Sequence, residues 1–272
     1  MFQLLATDID GTLLAPDGSL PPANRDALRR LHQAGVTIVF CSGRSDASIR
    51  GIASRILEPA DDEYYIAFNG ARTVTADTRT LISSRYVTPS AVRRVVEYSR
   101  DHGLYLQGYV EDAFLTEVKT EFTDRYAEAT QTDYQVVADL ADVMPQGSPK
   151  LLLVGAHEVL VPHRDALLSM GQGADGFSAM FSKPHYLEIV ASGVDKGDAL
   201  TRLAERLGIP REATFAVGDG DNDVEMIQAA GTGIAVNGSS SRAIAAADVV
   251  LNSSSEDGVM TEILERFAPS GI

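Results

Sequence analysis

The chain of 272 residues has 44% hydrophobic and 22% charged residues and a formal net charge of −15. That length supports one large or two moderate domains with real cores. The acidic balance argues against nucleic acid and anionic membranes as partners, since both require basic footprints. The lone cysteine, Cys41, excludes an internal disulfide, and no apolar run is long enough to span a bilayer. No basic, apolar leader precedes the first strand, so the expectation is a soluble cytoplasmic protein, monomer or homodimer.

Residues 3–7 read as a strand, Asn24–Ala34 as a helix stopped by Gly35, and Val36–Phe40 as a buried parallel strand. The second strand ends in Cys41-Ser42-Gly43-Arg44, a helix follows to about Leu57, and a third strand, Tyr64–Phe68, ends in Asn69-Gly70. Alternating βα units of this length imply a parallel sheet. The rhythm then changes. Val74–Val87 reads as antiparallel strand material, and Thr88-Pro89 as the cap and first position of a helix reaching His102.

Strands are expected at 104–110 and 113–117 around a turn at Glu111-Asp112, then a helix at 118–129 and loose sequence to Pro149. A strand at 150–155, a helix at 158–170 and a hairpin (177–182 and 186–190) complete an α+β section. From Asp195 the βα rhythm returns: a helix to Leu207, a strand at 214–217, a helix to Ala230, strands at 233–236 and 248–251, and helices near 240–247 and ending at Phe267. Residues 268–272 are expected to fray. The organisation predicted is therefore an α/β parallel-sheet core, residues 1–83 and 189–272, interrupted by an α+β domain over 84–188.

Polar clusters stand where strands end or helices begin: Asp8/Asp10, Ser42-Gly43, Lys196 and Asp219–Asp223. Ligands of open parallel sheets bind outside the carboxyl ends of the strands, so these clusters are expected to converge. Several carboxylates on one edge repel unless a divalent cation neutralises them, and hard Mg²⁺ prefers oxygen ligands. Lys196 and amides near Ser42 suit an anion. Metal, anion-binding groups and a free carboxylate together make the kit for phosphoryl transfer.

Other readings of these residues fail or stay bland. A calcium loop starting at Asp219 needs Gly and Glu where Val224 and Ala230 stand, and one starting at Asp8 meets Leu13 and Ser19. The five histidines (His32, His102, His157, His163 and His185) lack metal-ligand spacing. No Gly-x4-Gly-Lys-Ser/Thr sequence is present, and no Gly-x-Gly-x-x-Gly follows a strand.

Taken together, Asp8-Ile9-Asp10-Gly11-Thr12-Leu13, Phe40-Cys41-Ser42-Gly43-Arg44, Asp195-Lys196-Gly197 and Gly218-Asp219-Gly220-Asp221-Asn222-Asp223 resemble the motifs of the haloacid dehalogenase superfamily. The resemblance is to its Cof-type, class IIB phosphatases, runs in order over nearly the whole chain, and extends to Glu256-Asp257-Gly258-Val259. It implies a Rossmann-like core with an inserted type 2 cap. It further implies Asp8 as nucleophile, Asp10 as general acid and base, and Mg²⁺ held by Asp8, the Asp10 carbonyl, Asp219 and Asp223, the last through water or by orienting Lys196.

Ser42, Gly43, Lys196 and Asn222 would bind phosphoryl oxygens. Arg44 and Asn69 from the core, and Tyr109, His185 and Tyr186 from the cap, are candidate contacts to a small phosphorylated metabolite such as a sugar phosphate. Since Asp10 points away from Asp8 in a strand, the Gly11 turn must bring it back. After the fourth motif the family often reads Gly/Met-Gly-Asn-Ala, whereas this chain has Ala235-Val236-Asn237-Gly238-Ser239. Two alternatives stand beside hydrolysis: a phosphomutase like the phosphomannomutases, and a catalytically silent phospho-ligand sensor.

Overall fold

A computed structural model describes residues 2–111, 113–130, 132–173 and 175–268. Asp112, in the expected turn, and 269–272, in the expected frayed end, lie outside them. The chain divides into two compact units, Met1–Ser83 with Asp195–Ile272, and Ser84–Val194.

The first unit opens with β1 (Leu4–Asp8), α1 (Pro22–Gln33), β2 (Thr37–Cys41), α2 (Asp46–Ala53), β3 (Tyr64–Ala67), β4 (Arg72–Thr75) and β5 (Leu81–Ser84). Every residue of β1 is buried, as a strand covered on both faces requires. The α2 helix starts where the Ser45 side chain accepts from Ser48 N–H. It stops at Ala53, short of the expected Leu57, because the chain tightens into a turn whose Ile56 carbonyl is taken by Arg29 Nε at 2.6 Å.

The second unit holds α3 (Pro89–Asp101), β6 (Leu106–Val110), β7 (Ala113–Thr116), α4 (Glu121–Thr130), β8 (Tyr134–Val136), β9 (Leu151–Val154), α5 (His157–Met170), β10 (Phe177–Lys183) and β11 (Tyr186–Ala191). Thr88 caps α3 by accepting from Ala91 N–H, with Pro89 first in the helix. The α4 helix begins later than expected, after Thr120, whose hydroxyl accepts from Phe122 N–H and whose N–H donates to the Thr123 hydroxyl. The short β8 lies in sequence read as loose; it pairs in parallel with β7, Phe114 opposite Tyr134.

Among the described residues the sheet of this unit runs β10-β11-β9-β6-β7-β8. Its apolar core joins one face to α3 and α5 through Val92, Val95, Val96, Leu151, Leu153, Leu160 and Leu167. Burying such a side chain contributes about 1.5–3 kcal/mol. The unit extends through Val194 rather than ending at 188, since β11 continues and Ala191 still pairs with Phe177 of β10.

The chain then returns to the first unit with α6 (Lys196–Leu207), β12 (Thr214–Gly218), α7 (Val224–Ala229), β13 (Thr232–Ala235), α8 (Ser241–Ala246), β14 (Val249–Val250) and α9 (Val259–Phe267). Its sheet runs β14-β13-β12-β1-β2-β3-β4-β5 among the described residues. From β14 through β3 neighbouring strands run parallel, and β4 turns back antiparallel to β3. β1 lies between β12 and β2, with Thr7 opposite both Val217 and Phe40. The strands that carry Asp8, Ser42 and Asp219 thus end side by side.

Candidate active site

Asp8 closes β1 opposite Cys41, the last residue of β2, and Asp219 follows Gly218, the last residue of β12. Lys196 opens α6, which begins where the Asp195 side chain accepts from Asp198 N–H at 2.7 Å. Its ammonium is fully buried, 2.5 Å from Asp8 Oδ1 and 2.6 Å from Asp223 Oδ1. Burial works against that charge, yet Asp223 and Asp8 outweigh it and hold the Lys196 ammonium above its ordinary pKa. Burial likewise pushes the Asp8 carboxyl well up, with Asp223 adding to the rise and Lys196 opposing it.

Asp223 has one more task. Its Oδ2 accepts from the N–H groups of Asp219 and Gly220, at 3.1 and 2.9 Å, which fixes the turn after β12. Asp219 in turn accepts from the Thr12 hydroxyl at 2.7 Å. Burial raises its carboxyl pKa, with the Thr12 hydrogen bond working the other way. Gly11, at φ +90°, brings the backbone against that carboxylate: a β-carbon there would lie 2.5 Å from an Asp219 oxygen. Thr12 belongs to the first motif, but its role in aiming Asp219 was invisible in sequence, the two residues being 207 apart.

One ligand oxygen from each of Asp8, Asp219 and Asp223 lies within 4.8 Å of the others. Three carboxylates with a low ligand count left for water match the hard, oxygen-preferring chemistry of Mg²⁺, and the raised pKa values of Asp8 and Asp219 mark a charge excess that a divalent cation relieves. The donor set fits such an ion. The Asp10 side chain stands apart from this trio. It is 54% exposed and accepts a two-pronged hydrogen bond from Arg44, Nη2 to Oδ1 at 2.6 Å and Nε to Oδ2 at 2.7 Å. Arg44, expected as a substrate contact, is thus engaged with Asp10.

The Ser42 hydroxyl is buried and accepts from Arg44 N–H at 3.2 Å. Asn69, Gly43 and Asn222 meet: Asn222 Nδ2 donates to Asn69 Oδ1 at 3.3 Å, and the Asn69 amide lies over Gly43. Of the expected phosphate-binding set, Ser42, Gly43 and Asn222 are therefore linked through Asn69, while Lys196 joins the carboxylates.

The second unit corrects one expectation. Tyr109, expected as a candidate substrate contact, is buried within the unit. Gln107 and Tyr109 share one face of β6, Tyr105 stands just before the strand, and Phe122 and Tyr126 of α4 pack against Tyr105 and Tyr109. The Tyr109 phenol is buried, accepting from Gln107 Nε2 at 3.0 Å and sharing a 2.5 Å hydrogen bond with Tyr126. The same unit contains a buried Lys150–Glu188 pair at 3.1 Å, Glu188 also accepting from Ser182. No spacing in the sequence signalled that pair. His185 is exposed in the β10–β11 turn, its ring 4.2 Å from that of the half-buried Tyr186.

Comparison with known proteins agrees with this chemistry. A family model described as haloacid dehalogenase-like hydrolase matches residues 5–263. The HMP-PP phosphatase of Cronobacter sakazakii is 33% identical over 236 residues, 86% of this chain and 84% of that protein. Pyridoxal phosphate phosphatase YbhA of Escherichia coli is 27% identical over 94% of this chain and 96% of its own. A haloacid dehalogenase-like hydrolase from Bacteroides thetaiotaomicron superposes with a TM-score of 0.90 at 26% identity, covering 98% of this chain and 99% of that one. Matched over nearly its full length, the chain belongs to the haloacid dehalogenase-like hydrolase family and is a phosphatase.

Proposed function

We propose that this phosphatase is Mg²⁺-dependent and hydrolyses small phosphorylated metabolites, sugar phosphates foremost, through an aspartyl phosphate on Asp8. The observation that carries the reading is the buried cluster in which Lys196 bridges Asp8 and Asp223, with Asp219 beside them. An Asp8 oxygen attacks phosphorus as the bond to the leaving alkoxide breaks, and Asp10 gives that alkoxide its proton. In the second step Asp10 takes a proton from water, whose oxygen attacks phosphorus. The aspartyl oxygen–phosphorus bond breaks, which frees phosphate and restores Asp8. Dividing hydrolysis this way replaces one difficult step with two easier ones.

Lys196 offsets the charge between an anionic nucleophile and an anionic substrate. Ser42, the Gly43 amide and Asn222 take phosphoryl oxygens. Asp8, Asp219 and Asp223, with the Asp10 carbonyl, would hold the metal, whose positive charge supports the transferring phosphoryl group when bound. The second unit is read as the cap that selects the leaving group, with His185 and Tyr186 as its candidate contacts. A cytoplasmic monomer or homodimer is the accompanying reading.

The test is p-nitrophenyl phosphate turnover before and after chelation. Activity lost with EDTA and restored by Mg²⁺ is expected, with none in Asp8→Asn. A well-folded Asp8→Asn protein near wild-type activity would remove Asp8 as nucleophile. A screen across phosphorylated sugars, nucleotides and cofactors then identifies the ester.

A further inference from the structure

Three consecutive residues after β3, Phe68, Asn69 and Gly70, hold positive φ angles of 51°, 54° and 102°. A bulky residue such as phenylalanine stays in that region only when its surroundings over-determine it. The surroundings here are the two loops that carry anion-binding groups. Phe68 is buried and its N–H donates to the Arg44 carbonyl at 2.9 Å, while Asn69 N–H donates to the Ser42 carbonyl at 2.9 Å. At Gly70 a β-carbon would fall 2.2 Å from the carbonyl oxygen of Asp195, the residue before Lys196. The turn is therefore wedged between the Ser42–Arg44 loop and the start of α6.

The Asn69 side chain completes the arrangement. Its Oδ1 accepts from Asn222, which orients the amide and leaves Nδ2 toward the Ser42–Arg44 loop. A β-carbon at Gly43 would lie 3.2 Å from Asn69 Nδ2 and 3.3 Å from Oδ1, although the φ of Gly43 is outside the left-handed region. A methyl group at 43 would press on the Asn69 amide, while the backbone there sets no requirement for glycine.

We infer that Asn69 is a positioning residue for tetrahedral oxyanions: it ties Asn222 to the Ser42–Arg44 loop and thereby sets the two sides of the phosphoryl-oxygen subsite. The inference rests on the phosphatase reading above. It separates the residue's two roles, a left-handed backbone that any glycine supplies and a carboxamide that only the side chain supplies.

The experiment compares wild type, Asn69→Gly, Asn69→Ala, Gly43→Ala and the double variant Asn69→Gly/Gly43→Ala. Each is assayed with p-nitrophenyl phosphate, with inorganic phosphate as inhibitor, and by thermal melting. Asn69→Gly retains the backbone and is expected to keep or raise Tm, while KM and the phosphate Ki rise about tenfold, the scale of one charge-assisted hydrogen bond. The loss falls on KM and not kcat, the sign of binding lost equally in ground and transition states. Asn69→Ala gives the same kinetic loss with a lower Tm, since alanine disfavours the left-handed region.

Gly43→Ala weakens phosphate in the wild-type background and adds nothing once Asn69 is glycine. Unchanged KM and Ki in Asn69→Gly overturn the inference, as does an additive penalty in the double variant. A wild-type protein that binds phosphate without turnover at any Mg²⁺ concentration defeats the phosphatase reading instead. Phosphate affinities of the same five proteins, measured by calorimetry, then still decide the role of Asn69.

Discussion

Lys196 Nζ lies 2.5 Å from Asp8 Oδ1, with the side chains of both residues buried. One cation serves two buried carboxylates here, because Asp223 Oδ1 lies 2.6 Å away on the same nitrogen. Removing one member of a buried ion pair strands the rest, at a cost of about 3–5 kcal/mol. Lys196→Met is therefore expected to lower unfolding free energy by about that amount and to abolish turnover. Adding Asp223→Asn to Lys196→Met removes the stranded charge, so the double variant is expected to be more stable than Lys196→Met alone, a coupling that denaturant titrations in the absence of metal read directly. Strict additivity of the two losses would refute the shared-cation picture.

Thr12 donates to Asp219 Oδ1 at 2.7 Å, so it acts on a proposed metal ligand from behind. Losing such an outer partner typically weakens metal affinity by about 10–100-fold. Thr12→Val is expected to shift the Mg²⁺ concentration for half-maximal activity upward within that range, with most activity recovered at saturation. A Mg²⁺ titration of both proteins decides it, and superimposable curves would show that Asp219 needs no help from Thr12.

Much of this arrangement was legible in sequence because parallel-sheet physics is local. Val36–Phe40 is an apolar run that turns abruptly to Ser42 and Gly43, and that break fixed the strand end within a residue of Cys41. Thr88-Pro89 announced α3 because cap chemistry is written in two adjacent residues. What failed depended on neighbours distant in sequence. Tyr109 was read as a substrate contact because β6 alternation cannot reveal that α4 packs over its ring. The β8 strand was missed because Tyr134–Val136 is polar-flanked and half-exposed, and its order comes from pairing with β7. Asn69-Gly70 signalled a turn, but nothing local foretold that Phe68 would join it at φ 51°.

Arg44 and Asp10 raise a sharper question about the proton shuttle. A two-pronged guanidinium–carboxylate contact fixes direction as well as charge, and lysine keeps the charge while losing the fork. If Arg44 aims Asp10 for proton donation, Arg44→Lys penalises substrates whose leaving group needs a proton. The kcat/KM of an alkyl phosphate is then expected to fall about 10-fold or more further than that of p-nitrophenyl phosphate, within the range that general acid catalysis supplies. Equal losses on both substrates would return Arg44 to the direct phosphate-ester contact expected from the sequence.

Glu63 supplies a pH dependence remote from the chemistry. Its carboxylate is buried at the start of β3 with no hydrogen-bond partner on either side-chain oxygen among the described residues, and His32 Nδ1 is 3.8 Å away. Burial, reinforced by the charge of Asp62, pushes its carboxyl up to about 7. Between pH 4.5 and about 7 the folded state thus holds a proton that the unfolded chain, near the ordinary carboxyl value of 4.5, has released. Stability from this group is complete below pH 4.5 and declines as pH rises toward 7, by about 3 kcal/mol in total at 1.36 kcal/mol per pKa unit. Asp62 is the titratable group that adds to the rise, and Glu63 in turn helps push up Tyr65, whose buried hydroxyl also has no partner among the described residues. Glu63→Gln cannot ionise, so its unfolding free energy is expected to fall less steeply between pH 5 and 8 than that of wild type. Urea denaturation at those two pH values measures the difference, and parallel slopes in the two proteins would assign the pH dependence to another group.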